Sequence, residues 1–286
     1  MSNDKAVLLI SCTDKPGIVA AVSTYLYEKG ANIISSDQYS TNYQEGLFFM
    51  RVEFSIPNLD RHFPAIEEDF RPIANKYEMK WNLFLNSKKK RVAIFVSKED
   101  HCLVELLWQW KAGDFECDIV MVVSNHEDLR ATATGFGLPF YHFPVTKENK
   151  PEVEKRHIEL LKEHNIDVIV LAKYMQIVSP GFIEPFRNKI INIHHSFLPA
   201  FVGAKPYDRA YERGVKIIGA TAHFVTEELD AGPIIEQDII RVSHDYSAAE
   251  LKRVGRMVER SVIARALQWY LQNRVIIFDN KTIVFK

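Results

Sequence analysis

The sequence predicts an α/β protein in two parts: an N-terminal ferredoxin-like α+β domain and a C-terminal doubly wound, mostly parallel sheet. Three observations lead there. Residues 6–86 run as β-α-β-β-α-β. From residue 91 onward, apolar strand-like runs alternate with helical stretches. Between them the polar run "NSKKK" interrupts both patterns. The expected divisions are a first domain at 1–86, a linker at 87–91 and a second domain at 92–286.

Each element has its reason. "AVLLIS" (6–11) is a short apolar run of a buried strand. Asp14-Lys15-Pro16-Gly17 is turn chemistry, and Ile18, Val19, Val22 and Leu26 follow at helical spacing, with Gly30 as C-terminal cap. "ANIISSDQYST" and "GLFFMRVEFSIP" are strands joined by the polar turn "NYQEG". "HFPAIEEDFRPIANKYE" is an amphipathic helix and "MKWNLFLN" the closing strand. In the second part, 91–97, 118–124, 139–145, 167–172 and 189–194 are strand-like, with "HCLVELLWQWKAG", "NKPEVEKRHIELLKEHN" and "PGFIEPFRN" helical between some of them. Residues 217–237 form strand, polar loop and strand. "SAAELKRVGRMVERSVIARALQWYLQNR" is a long terminal helix, and "VIIFDNKTIVF" a hairpin turning at Asp279-Asn280.

Composition narrows the function classes. The 286 residues are 47% hydrophobic and 26% charged, with 36 basic against 37 acidic side chains and a net charge of -1. Such a balance provides no field to recruit nucleic acid or an anionic membrane. "KKKR" (88–91) is a solvated linker or a phosphate patch. Cys12, Cys102 and Cys117 show no CxxC spacing, so buried or free thiols in a reducing compartment are expected. "AVLLI" lacks a basic flank and is too short for a signal-peptide core, and no apolar run approaches the roughly 20 residues of a membrane span. A cytoplasmic location is the expectation.

The chemistry concentrates in "INIHHSFLPA" and "IIGATAHFVTEELDAGPIIEQ". On a strand Asn192 and His194 project to one side, at an end where parallel strands open into a ligand crevice. An amide donor beside a titratable imidazole suits an oxygen that becomes negative during acyl transfer. Asp230 precedes Ala-Gly-Pro in a loop, as a carboxylate for proton transfer or as a turn residue bonding its own backbone. His223 is an orienting group or a core filler. His194, His195 and His223 have no H-x-x-x-H spacing and no Cys partner, so no metal is expected. "SKEDHC" after the first strand of this part has no glycine, which argues against a dinucleotide cradle.

Two resemblances follow from these motifs. "D-K-P-G-I-V" followed by "G-A-N-I" resembles the ACT domain over roughly residues 5 to 86. It implies edge-to-edge pairing into a homodimer or homotetramer and an amino-acid effector at the interface; a dimerisation platform alone is the other reading. "N-I-H-x-S-x-L-P" followed by "H-F-V-T-x-E-L-D-x-G-P-I" resembles the formyltransferase family that uses 10-formyltetrahydrofolate, with glycinamide ribonucleotide transformylase nearest in pattern, over roughly residues 91 to 275. The resemblance implies a catalytic Asn192, His194 and Asp230. It also implies a pterin slot lined by Met175, Ile177, Val225, Thr226 and Leu229. For "YMQI" the plain alternative is apolar core. Lys205 falls in the loop on the acceptor side, to bind a carboxylate or to hold an acidic side chain such as Glu99.

One departure from the transformylase pattern bears on the reaction. There the first strand of this domain ends in a Gly/Ser/Asn-rich loop that holds the acceptor's phosphate; here the stretch is "VSKEDHCLVELL", with Glu99 and Asp100 set to repel one. Water remains as the acceptor. An ACT module ahead of such a domain resembles the formyltetrahydrofolate deformylases. This resemblance implies hydrolysis of 10-formyltetrahydrofolate to formate and tetrahydrofolate, with no cofactor, in one-carbon balance and purine synthesis. Two other readings stay open: transfer to an amine without a phosphate handle, and an amino-acid-sensing regulator built on an inactive enzyme domain.

Overall fold

β1 (Lys5–Thr13), α1 (Ile18–Glu28), β2 (Asn32–Ser40), β3 (Leu47–Ser55), α2 (Leu59–Lys76) and β4 (Lys80–Leu85) form the first unit of this computed structural model. Residues 4–42, 46–199 and 206–286 are described. The sheet is antiparallel in the order β2-β3-β1-β4. Its helices bury one stripe each, Ile18, Val22, Tyr25 and Leu26 from α1, and Leu59, Ile66, Phe70 and Ala74 from α2. Both stripes meet Ala6, Leu8 and Ile10 of β1, which alternate onto that face. Each such buried aliphatic or aromatic side chain is worth roughly 1.5–3 kcal/mol, so this cluster specifies the register. Residues Asn273–Ile276 and Ile283–Lys286 group with this unit, and Arg51 of β3 donates to the Asn273 carbonyl from a buried position.

The second unit comprises Lys90–Gln272 and Ile277–Thr282. Its elements are β5 (Lys90–Val96), α3 (His101–Ala112), β6 (Cys117–Ser124), α4 (Arg130–Gly135), β7 (Phe140–His142), α5 (Lys150–Glu163), β8 (Val168–Leu171), α6 (Pro180–Ile183), β9 (Ile190–His194), α7 (Pro206–Arg213), β10 (Ile217–Phe224), β11 (Ile234–Arg241) and α8 (Ala248–Leu271). The closing hairpin is β12 (Val275–Phe278) with β13 (Lys281–Val284). The sheet runs β11-β10-β9-β8-β5-β6-β7, parallel from β7 through β9 and antiparallel at β10 and β11. β5 lies inside it, between β8 and β6: residues Val92 to Val96 are wholly buried, the continuous apolar run of a strand covered on both faces. On one face α5 and α6 supply Leu161, Phe182 and Ile183 to the core around Ala93 and Phe95. α8 packs against β9, β10, β11 and α3.

From β5 the chain winds outward through β6 and β7, then returns to β8 on the other side of β5. That reversal makes the β5/β8 strand ends the switch point at which α/β sheets open a crevice. α4 lies in a stretch, 125–138, whose apolar residues are too few to show a period. β7 is shorter than expected because the apolar run 139–145 contains two prolines, which cannot donate to a ladder. Cys12, Cys102 and Cys117 are buried and form no disulfide among the described residues. No helix of the described residues is long and apolar enough to cross a membrane.

Candidate active site

The antiparallel β9/β10 register pairs His223 with Asn192 and Thr221 with His194. Cross-strand partners share a face, so the two polar positions of β9 and His223 are collected on one side by pairing alone. β10 is bulged against β11 between Ala222 and His223, a device that re-aims a side chain beside a site. His223 Nδ1 lies 2.9 Å from the Phe224 carbonyl and therefore donates. In the neutral ring that leaves Nε2 as an acceptor, 3.2 Å from Asn192 Nδ2. One amide proton of Asn192 is thereby fixed on His223, and the amide plane with it.

Asp230 enters from the loop between β10 and β11. Its Oδ2 is 3.2 Å from His194 Nδ1, and its Oδ1 is 3.6 Å from His223 Nε2, beyond hydrogen-bond distance. Two backbone features hold it there. Asp230 has φ +56°, a left-handed conformation that Asp tolerates better than most residues. Gly232 passes so near β10 that a Cβ would lie 1.8 Å from the Phe224 carbonyl oxygen. Burial pushes the Asp230 carboxyl up, but the contacts from His194 and His223 outweigh it and hold the group well below the ordinary carboxylate range. With Nδ1 turned to that anion, His194 keeps Nε2 buried and without a partner among the described residues. His195 stacks on His194 with centroids 5.2 Å apart, and burial, aided by Lys173, lowers it to about 4.

These groups floor a cleft of about 370 Å³. Met175 and Ile177 on one wall and Leu229 on the other are large apolar side chains left exposed, and Val225, Thr226 and Asn192 lie between. The wall is fixed through its backbone: Met175 N–H donates to Ser97 Oγ, Ser179 N–H donates to Glu154, and Lys150 donates to the Ile177 carbonyl. Of "YMQI", Tyr174 packs in the core while Met175 and Ile177 face the cleft. The structure brings together Asn192, His194, Asp230, Met175, Ile177, Val225, Thr226, Leu229 and His223. Lys205 lies outside the described residues.

Sequence reasoning missed a buried charged network beside the cleft. Glu259 of α8 is 1% exposed and accepts from Tyr207 (2.6 Å), His101 Nε2 (2.8 Å) and Lys173 Nζ (3.2 Å). Burial raises its carboxyl, and those three partners bring it down to about 2. The signal was present: Glu259 sits on the apolar stripe of α8, with Leu251, Val258 and Val262, and Lys173 directly follows an apolar strand. Gly255 leaves room for the Tyr207 ring, since a Cβ there would lie 2.1 Å from its hydroxyl.

The chain was compared with known proteins. A family described as "Formyl transferase" matches residues 90–267, and one described as "ACT domain" matches residues 6–71. Formyltetrahydrofolate deformylase of Bacillus subtilis (strain 168) is 54% identical over 284 residues, covering 99% of this chain and 95% of that protein. The crystal structure of a formyltetrahydrofolate deformylase from Pseudomonas syringae pv. tomato aligns with TM-score 0.95 at 46% identity, covering 99% of this chain and 94% of that one. A phosphoribosylglycinamide formyltransferase from Anaplasma phagocytophilum aligns with TM-score 0.63 at 30% identity, over 70% of this chain and 96% of that one.

Proposed function

The chain belongs to the formyltetrahydrofolate deformylase family, and from that premise we propose that it hydrolyses 10-formyltetrahydrofolate to formate and tetrahydrofolate. One observation carries the reading at the level of the site. A carboxylate, two imidazoles and an amide meet at the floor of a cleft whose walls are exposed Met175, Ile177 and Leu229. An apolar slot with convergent polar groups suits a flat heteroaromatic ring whose reactive carbonyl reaches the floor.

The pterin lies between Met175, Ile177 and the 225–229 segment. The formyl oxygen receives the free amide N–H of Asn192 and the Nε2 proton of His194, both aimed where the negative charge develops. Water attacks the formyl carbon and gives up one proton, which passes by way of Asp230 to nitrogen 10 as the carbon–nitrogen bond breaks; the formic acid formed loses its acid proton to solvent and leaves as formate. Asp230 holds the water and balances the imidazolium of His194. Its depressed pKa favours this positioning role over that of a base in the resting enzyme. His223 orients Asn192 and Asp230 together. Water and the folate are the only reactants, so the scheme needs no cofactor and no metal.

The finer assignments rest on the same reading. The ACT-like unit binds an amino-acid effector or serves pairing of chains into a dimer or tetramer. The activity belongs in the cytoplasm, where the formate released serves purine synthesis. Membership of this family favours water over a phosphate-free amine as acceptor, and favours an enzyme over a regulator.

The test is formate release from 10-formyltetrahydrofolate by the purified protein without added amine. Turnover is expected under those conditions. Formate that appears only when an amine is supplied would mean a transferase instead.

A further inference from the structure

A second cleft, of about 590 Å³, adjoins the catalytic one and shares Lys173, Met175 and His195 with it. At its edge three cationic side chains and the His101 imidazole converge on a single carboxylate. Glu99 lies 2.5 Å from Lys252 Nζ, 3.7 Å from Arg256 Nη2, and 3.9 Å from both Lys173 Nζ and His101 Nδ1. Among the described residues, Glu99 is the one carboxylate within 4 Å of either Lys252 or Arg256. His101 Nδ1 and Arg256 Nε are buried without a hydrogen-bond partner among the described residues. Glu99 also stands just ahead of the first turn of α3, where free N–H groups favour negative charge. Burial raises the Glu99 carboxyl, and Lys252, Lys173 and His101 bring it below its ordinary value, so it is an anion at neutral pH. Simple repulsion of phosphate by an acidic loop is therefore not the right picture. The surroundings of Glu99 attract anions, and the chain supplies one.

We infer that Glu99 sets the acceptor specificity of this site: its carboxylate fills, from within the chain, an anion position built by Lys252, Arg256, Lys173 and His101. An amine carried on a phosphate then finds its anchor taken, and the cleft is left to water. The inference rests on the hydrolytic reading above and names what keeps it hydrolytic. The Ser97 hydroxyl, the other polar group at the end of β5, is already held by Asn125 at 2.6 Å and by the Met175 N–H at 3.0 Å. It offers no alternative anchor.

Removing the carboxylate while keeping the cations should open a phosphate site. Full-length wild type, Glu99→Gln, Glu99→Ala, Glu99→Asp and the double variant Glu99→Ala/Lys252→Ala would be titrated with inorganic phosphate. Ionic strength is held constant with chloride, and binding is read by phosphorus NMR line width and by thermal shift. Glu99 is 26% exposed by its side chain, so the neutral variants keep the fold. Glu99→Gln and Glu99→Ala are expected to bind phosphate at least tenfold more tightly than wild type. Glu99→Asp should stay like wild type, and the double variant should lose the gain. Equal phosphate binding by wild type and both neutral variants would overturn the inference, as would a gain that survives loss of Lys252. Formate release on the same samples separates the two claims. A wild type that releases none defeats the hydrolytic reading, whereas a hydrolytic wild type with no phosphate gain in the variants defeats only the role of Glu99.

Discussion

Asp230→Asn is the substitution that isolates the carboxylate's charge from its shape. Asn is isosteric and tolerates the left-handed φ of +56° at this position, so the β10–β11 loop keeps its path. The Asn carbonyl oxygen can still accept from His194 Nδ1, which leaves Nε2 facing the cleft. What disappears is a negative charge 3.2 Å from the His194 imidazolium, whose Nε2–H faces the oxyanion as it forms. At that separation and an effective dielectric near 20, Coulomb's law gives about 5 kcal/mol. At about 1.36 kcal/mol per tenfold this is a ceiling of roughly 10³–10⁴ in rate. Partial solvation and the retained hydrogen bond lower it, so kcat should fall about 10²–10⁴-fold, the range of general acid–base groups. KM should change by less than about threefold, because the apolar walls that hold the pterin are untouched. The assay is steady-state formate release from 10-formyltetrahydrofolate, with thermal unfolding on the same sample. A kcat within tenfold of wild type, or a raised KM with kcat intact, would refute the assignment.

Two further substitutions probe how the site is built. Gly232→Ala forces a Cβ to within 1.8 Å of the Phe224 carbonyl oxygen, so the loop must move and take Asp230 with it. Stability should drop by about 3 kcal/mol or more, with activity falling at least as far as in Asp230→Asn; differential scanning calorimetry and formate release check both. His157 is buried against Phe95, Phe143 and Phe182, and burial lowers it to about 4 from 6.5. Between those values the unfolded chain takes a proton that the folded chain refuses, so stability falls as pH drops from 6.5 to 4 and is unaffected above 6.5. The loss amounts to about 3 kcal/mol. Urea unfolding of His157→Leu and wild type at pH 7 and pH 4 should show the variant gaining by about that amount, and parallel curves would exclude it.

What could be read from the chain follows from how far each signal reaches. Strands β1, β3, β5, β6 and β9 declared themselves because a buried strand is a contiguous apolar run. The candidate site positions were legible for a related reason: Asn192, His194 and Asp230 break patterns, two polar residues on an apolar strand and an acid ahead of Gly-Pro. Partnership was not legible. That His223 faces Asn192 depends on a β9/β10 register set 31 residues apart, and no local period records it. Glu99 was misjudged for the same reason. Its sign could be read from the sequence, but the cations that answer it arrive from α8 and from the end of β8.

That last point bears on how an acceptor is chosen. The floor proposed here sets no preference between water and an amine, since the Asn192 amide and the His194 imidazolium stabilise the same tetrahedral oxyanion whichever nucleophile attacks. Discrimination has to come from binding the nucleophile's remote parts, and an anionic handle is the strongest such part. A chain that turned acceptors away by lining the cleft with acids alone would leave those acids unpaired, at a desolvation cost that rises with burial. Meeting Glu99 with Lys252, Arg256 and Lys173 removes that cost and still denies the handle. Lys173, within 4 Å of both the Glu99 and Glu259 carboxylates and lining both clefts, makes the acceptor side and the catalytic side parts of one ionic network. Emptying the anion position should therefore be felt at Lys173 first. Its loss as Lys173→Met leaves Glu259 as a buried carboxylate without its ammonium, and should cost folding stability on the order of 3–5 kcal/mol, measurable by urea unfolding at pH 7.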